Sequence, residues 1–274
     1  MSITAPPAPV LTPIATFDPC PRVAVAFTDL DAAATLITVY RIADGEQTAV
    51  RGAQNAAATA GAFVIVDYEA PFGVELTYQA QLSDGTQTSP LGPTASATLD
   101  VDDIALTDPL DPASTVRLSF TSDALTSITQ TDDTELITMM GRSRPIVQSF
   151  GLGSITQMPI NVMTETVQDA IALRELLDAS PLLLRTPGKD DLFADLPRGL
   201  YCRITASRGW PGWVLQRGAR KWTLTADEVQ PQSMAVIAAV ISWQTYMDAF
   251  PTWQDAMNVY TTWEDAMLNP PGGF

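Results

Sequence analysis

Between residues 23 and 99 the chain is cut into runs of five to seven β-prone residues by turn residues, and that punctuation is what most constrains its fold. Val23-Ala24-Val25-Ala26-Phe27 is an apolar run. Residues 35–41 are rich in β-branched side chains and lead to the turn signal Asp44-Gly45. Residues 62–68 read as a buried strand stopped by Pro71 and Gly73. Leu76, Tyr78, Ala80 and Leu82 alternate with polar neighbours, so they share one face of a strand. Ser83-Asp84-Gly85 then turns the chain towards a last strand at 95–99. Short strands joined by such turns over about 80 residues predict an antiparallel sandwich at 23–100.

The flanks differ. Residues 1–22 are proline-rich without periodicity and predict an extended arm, anchored late if at all. This start has no cationic stretch and no apolar run, so no secretory signal is expected. Residues 101–114 are acidic, carry Pro109 and Pro112, and predict a linker. A second unit is expected at 115–231. Val116, Leu118 and Phe120 alternate, further strand material lies at 144–147, 151–160, 182–185, 200–205 and 221–225, and one helix is expected at 164–179. In that helix Val167, Ala170, Ile171, Arg174 and Leu177 fall along one line, with Leu173 and Leu176 beside it. Thr166 and Asp169 have the spacing of a capping box, and Pro181 enforces the stop. One helix among antiparallel strands is an α+β or helix-plugged barrel pattern, so the fold class is mainly β.

Residues 232–274 hold an internal repeat. Trp243, Trp253 and Trp263 recur every ten residues, Met247, Met257 and Met267 follow four later, and Phe250 and Tyr260 follow seven later. Four and seven are helical spacings, so each copy is expected to place Trp, Met and Phe or Tyr on one stripe. Ser242, Thr252 and Thr262 precede the copies as helix caps. Helices this short are unstable alone and need a surface on which to bury those side chains. The stripe is therefore expected to dock onto a partner or a neighbouring subunit.

Charge and residue types narrow the chemistry. The net charge is −16, and it is uneven. Residues 1–111 carry three arginines against 14 acids, residues 112–221 are nearly balanced, and residues 222–274 carry six acids and no base. Such a distribution is poor for nucleic-acid binding. The sequence has no histidine, so a Ser-His-Asp triad and a His-ligated zinc site are excluded, and Cys20 and Cys202 are too far apart for a CxxC site. The acidic clusters Asp102-Asp103, Asp132-Asp133-Glu135 and Asp190-Asp191 read as solvated loop acids, without EF-hand spacing. Gly151-Leu152-Gly153 lacks the third glycine of a dinucleotide fingerprint. No enzymatic activity, metal or cofactor is expected. No stretch is long enough for a membrane span, so no membrane insertion is expected either. Trp210, Trp213 and Trp222 read as core or subunit contacts, with a sugar-stacking platform as the sharper reading. The bases of the second unit, Arg217 and Arg220 among them, read as surface charge or as a face that meets acidic segments of a neighbour.

Two resemblances add to this reading. The run Val66-Asp67-Tyr68-Glu69-Ala70-Pro71-Phe72-Gly73, continuing to Tyr78, looks like the E–F region of fibronectin type III domains. There a Pro/Gly loop enters a strand bearing a core tyrosine; the tryptophan common in that family's B strand has no counterpart here. More widely, the chain is similar to minor tail proteins of long, non-contractile-tailed phages infecting actinobacteria. The match rests on Val39-Tyr40-Arg41 with Asp67-Tyr68-Glu69-Ala70-Pro71-Phe72-Gly73; on Asp108-Pro109-Leu110-Asp111-Pro112 running into Gly141-Arg142-Ser143-Arg144-Pro145; and on Leu182-Leu183-Leu184-Arg185-Thr186-Pro187-Gly188, Arg220-Lys221-Trp222 and the tryptophan repeats.

That resemblance implies a structural virion protein at the tail tip, made in the host cytoplasm. Its second unit would be a distal-tail-like or tail-tube-like β-barrel, with the fibronectin-like sandwich projecting outward. It implies a homo-oligomeric ring, hexameric or trimeric, between the tube end and the tail-tip or baseplate proteins. Tail tube, tape measure and hub proteins would be its partners. The alternative is a receptor-binding adhesin whose sandwich or Trp210–Trp213 loop grips a cell-wall glycan.

Overall fold

The computed structural model describes residues 3–58, 61–120, 129–131, 134–137, 146–149, 154–179, 181–187, 197–209, 219–234, 247, 250 and 252–260. Its first part is two antiparallel sheets. Strands β1 (Val10–Ile14), β2 (Arg22–Phe27) and β6 (Phe63–Asp67) form one, in the order β1-β2-β6. Strands β3 (Leu36–Ala43), β4 (Glu46–Ala49), β7 (Glu75–Ser83) and β8 (Ala95–Thr98) form the other, in the order β4-β3-β7-β8, with β5 (Ala56–Ala57) paired to β3. The alternation in β7 does what the sequence predicts: Leu76, Tyr78, Ala80 and Leu82 are all fully buried. They meet Val23, Val25 and Phe27 of β2 and Ile37 and Val39 of β3 in one core. Each such large side chain contributes about 1.5–3 kcal/mol by leaving water. Asp44 and Gly45 join β3 to β4 with φ of 51° and 82°, the positive values a two-residue hairpin turn requires.

The N-terminal stretch is not a free arm. β1 pairs with β2 over five residues, from Val10 with Ala26 to Ile14 with Arg22, and Ile3 is buried in the sandwich core. Proline does not prevent this, because β1 is an edge strand and Pro13 needs no N–H on its open side. The arm lies so close to the β7–β8 loop that a Cβ on Gly92 would come within 2.6 Å of the Pro6 carbonyl oxygen.

Residues 101–114 are not a linker either. Ile104–Asp108 is β9, and Asp111–Phe120 is β10. Ile104 and Leu106 belong to the second core, whereas Ala105, on the opposite face, belongs to the sandwich core. A strand buried on both faces loses the alternation that marks a half-exposed one, so the acids on either side dominated the sequence reading. Asp108 marks the turn, its Oδ1 accepting from the Leu110 amide at 2.9 Å.

Strands β15 (Met158–Thr164), β16 (Leu182–Arg185), β17 (Gly199–Gly209) and β18 (Arg220–Glu228) complete the second unit, after three short pairing strands β11 (Thr129–Thr131), β12 (Thr134–Ile137) and β13 (Ile146–Ser149) and a fourth, β14 (Ser154–Thr156). Six strands pair in a closed circuit, β10-β15-β18-β17-β16-β9 and back to β10. The seam between β10 and β15 is short, two register pairs against seven between β15 and β18. Val116, Leu118, Met158, Ile160, Val162, Leu184, Trp222 and Leu224 fill the interior.

Helix α1 (Val167–Leu176) begins later than predicted because β15 runs to Thr164. The capping box is present: Thr166 Oγ1 accepts from the Asp169 amide, and the Asp169 carboxylate accepts from the Thr166 amide, both at 3.1 Å. Its buried stripe is Ala170, Leu173 and Leu176, not the line through Val167 and Ile171, which are exposed. The stripe is rotated by about one residue because β10 and β15, not solvent, set which side faces the core.

Candidate functional site

Two places carry what the core does not explain. One is the tryptophan repeat, of which the structure describes the middle copy. Helix α2 (Trp253–Val259) is capped by Thr252, whose Oγ1 accepts from the Asp255 amide at 3.3 Å while the Asp255 carboxylate accepts from the Thr252 amide at 3.1 Å. Trp253 is 57% exposed and Met257 68%, one turn apart on the same side. Met247, in the preceding copy, is 67% exposed. Tyr260 does not lie on that stripe. The helix ends at Val259, and Tyr260 is already extended, so the seventh position turns away. It packs edge-on against Phe250, ring centroids 5.7 Å apart, so equivalent positions of successive copies meet each other.

Among the other residues expected to bind a partner, Arg220 is half-buried at the start of β18, opposite Thr164, with its Nη1 donating to the Ala219 carbonyl at 2.9 Å. Trp243, Trp263, Met267 and Arg217 lie outside the described residues.

The second place is the junction of sandwich and barrel, which sequence reasoning missed. The first 111 residues have only three arginines, and all three are buried. Arg41 Nη1 donates to both oxygens of Asp67, at 2.9 and 2.8 Å. Tyr78 donates to Asp67 Oδ2 at 2.9 Å, and the Glu69 amide to Oδ1 at 3.0 Å. Burial works against the Arg41 charge, but Asp67 beside it more than offsets this and holds the guanidinium above its usual range. Burial and the Asp67 charge push the Tyr78 phenol well up.

Glu69 is the hub. Arg51 Nε donates to its Oε1 at 2.5 Å, and Tyr201 of β17 donates to its Oε2 at 2.8 Å. Burial, then the Glu69 charge, raises the Tyr201 phenol far above its usual range. Arg185, at the end of β16, reaches from the barrel into the sandwich with no exposed surface. Its Nη1 donates to the Pro21 carbonyl at 2.9 Å and the Ala70 carbonyl at 3.3 Å, and its guanidinium lies 4.5 Å from the centre of the Phe72 ring.

Beside this seam lies a cleft of about 700 Å³, between the β3–β4 hairpin and the barrel, lined by Arg41, Glu46, Glu69, Leu183, Arg198 and Tyr201 among others. The signal that could have found the junction was the scarcity of cations in an acidic half, together with Arg185 closing an all-leucine strand.

Of the candidates for chemistry, Cys20 lies against Arg185 at this junction. Asp103 pairs with Arg117 at the surface, 2.9 Å apart. Glu135 sits in β12 opposite Gln148, and Asp132, Asp133, Asp190 and Asp191 lie outside the described residues. Trp222 is core, its Nε1 donating to Thr164 Oγ1 at 3.2 Å; Trp210 and Trp213 lie outside the described residues. Cys20 and Cys202 are separate, buried thiols. Among the described residues no group of His, Cys, Asp and Glu is placed to hold a metal ion, and no helix is long and apolar enough to cross a membrane. No protein-family model matches the chain, and no curated protein is significantly similar to it.

Proposed function

We propose that this chain is a structural protein of a phage tail tip, assembling as a ring between the tube end and the tail-tip or baseplate proteins. In this reading the barrel is the distal-tail-like ring unit, the sandwich is a fibronectin type III-like decoration, and the Trp/Met tail docks on a neighbouring subunit. The observation that carries it is the exposure of Trp253 and Met257 on a capped two-turn helix. Large apolar side chains held ready on an element too short to stand alone fit an interface better than a solvent face. The sheet orders β1-β2-β6 and β4-β3-β7-β8 support the fibronectin-like assignment, and the closed six-stranded circuit with α1 against it supports the ring unit. A ring works through many modest contacts multiplied by symmetry, and the polar seam gives each subunit the stiffness such contacts need.

Light scattering coupled to size exclusion tests the reading on the full chain and on a truncation ending at Met234. The expected result is a symmetric multiple of the 29.4 kDa chain that falls apart on truncation. A monomer in both, at concentrations of tens of micromolar, overturns self-assembly and leaves the adhesin, to be tested by pull-down on host cell wall.

A further inference from the structure

The segment that joins the barrel to the tail crosses from one unit to the other within six residues. The Val229 amide still donates to the Tyr201 carbonyl of the barrel, at 2.9 Å. Three residues later the chain is held by the sandwich: Arg51 Nη2 donates to the Gln232 carbonyl at 3.4 Å and Nη1 to the Ser233 carbonyl at 2.8 Å. The Gly52 amide donates to the Met234 carbonyl at 3.0 Å. Gly52 has φ of 78°, which lets the backbone turn its N–H towards the strap directly after the arginine. Arg51 is itself fixed, because its Nε is bound to Glu69, whose other oxygen takes the Tyr201 phenol.

We propose that residues 229–234 are a strap latched by Arg51, and that Arg51 is thereby the residue that positions the tail. With the latch closed, residues beyond 234 leave the body from the Arg51–Gly52 turn of the sandwich, not from the end of β18. The guanidinium suits this role because its planar fork binds a carboxylate through one edge and two successive carbonyls through its other nitrogens, which a lysine cannot do. The strap also lines one side of the cleft, through Val229, Pro231 and Met234, so the same latch holds that side of the cleft in place. That the exit point matters for docking rests on the tail-tip reading; the latch itself does not.

Amide hydrogen exchange tests the latch in the full chain. In the unmutated protein the Gly52 amide is expected to be protected like its sandwich neighbours, and exchange at the unprotected rate there overturns the latch with no substitution made. Arg51→Lys keeps a charge beside Glu69 but loses the fork, and R51M/E69Q removes both charges so that neither is left buried alone. Both variants are expected to speed exchange at the Gly52 amide, the latch's donor to the Met234 carbonyl, at least tenfold, with β7 unchanged. Unchanged protection of the Gly52 amide in a folded R51M/E69Q protein overturns the proposal. Because the readout is local exchange, its outcome stands whether or not the chain assembles.

Discussion

The Tyr201 phenol, on the barrel, and Glu69, on the sandwich, meet at 2.8 Å although they are 132 residues apart in the chain. With Arg51 on the other oxygen, one carboxylate ties together both units and the strap.

Removing pieces of that hub should give graded losses. Tyr201→Phe keeps the ring and deletes a hydrogen bond to a charged group, so the unfolding free energy should drop by about 1.5–3 kcal/mol. Glu69→Gln leaves Arg51 buried without its counter-charge and should cost about 3–5 kcal/mol. Urea denaturation followed by tryptophan fluorescence measures both. A Glu69→Gln protein no weaker than Tyr201→Phe would show that Arg51 finds another partner.

The Arg41–Asp67 pair should be strongly non-additive. Arg41→Met or Asp67→Asn alone leaves one buried charge unmatched, at about 3–5 kcal/mol each. The double variant should cost well under the sum of the two, because no unmatched charge remains. Additive losses in the same denaturation assay would mean that the two side chains act independently, against the geometry seen here.

Trp253→Ala with Met257→Ala should separate assembly from stability. Both side chains are more than half exposed, at 57% and 68%, so the thermal midpoint of the body should stay within about 1 °C. The mass of any oligomer should fall. A large drop in the midpoint would instead show that these side chains help to hold the body together.

Alkaline pH should weaken the fold through groups that burial keeps protonated. Burial pushes the Cys202 thiol from an ordinary 9.0 up to about 12 and the Tyr68 phenol from 10.0 up to about 12. A folded pKa above the unfolded one gives stability that is whole below the unfolded value and is lost as pH rises through the folded one. Denaturation midpoints should therefore hold from pH 7 to about 9 and fall between 9 and 12. Iodoacetamide at pH 9 should leave Cys202 unmodified until the protein unfolds. Rapid labelling of the native protein would contradict the burial of Cys202.

Much of the local architecture is written in short-range sequence. The alternation of Leu76, Tyr78, Ala80 and Leu82 places β7, Asp44-Gly45 makes the β3–β4 hairpin, and Thr166–Asp169 and Thr252–Asp255 cap α1 and α2. The exposed tryptophan and methionine of the middle repeat could also be picked out from their spacing, but the place of Tyr260 could not. Its seventh position assumed a helix that in fact stops at Val259.

What the sequence determined by itself is therefore whatever depends on neighbours within about four residues: strand faces, turns and caps, whose geometry is set by backbone period and local hydrogen bonds. The tertiary structure alone decided that β9 serves two cores, that the proline-rich start joins a sheet, and that Arg41, Arg51 and Arg185 are interior groups. Those outcomes depend on partners up to 182 residues away, as between Arg51 and Ser233. A charge reads as a surface residue in sequence because burial alone would cost it several kcal/mol, and only the packed units show the counter-charges and carbonyls that offset that cost.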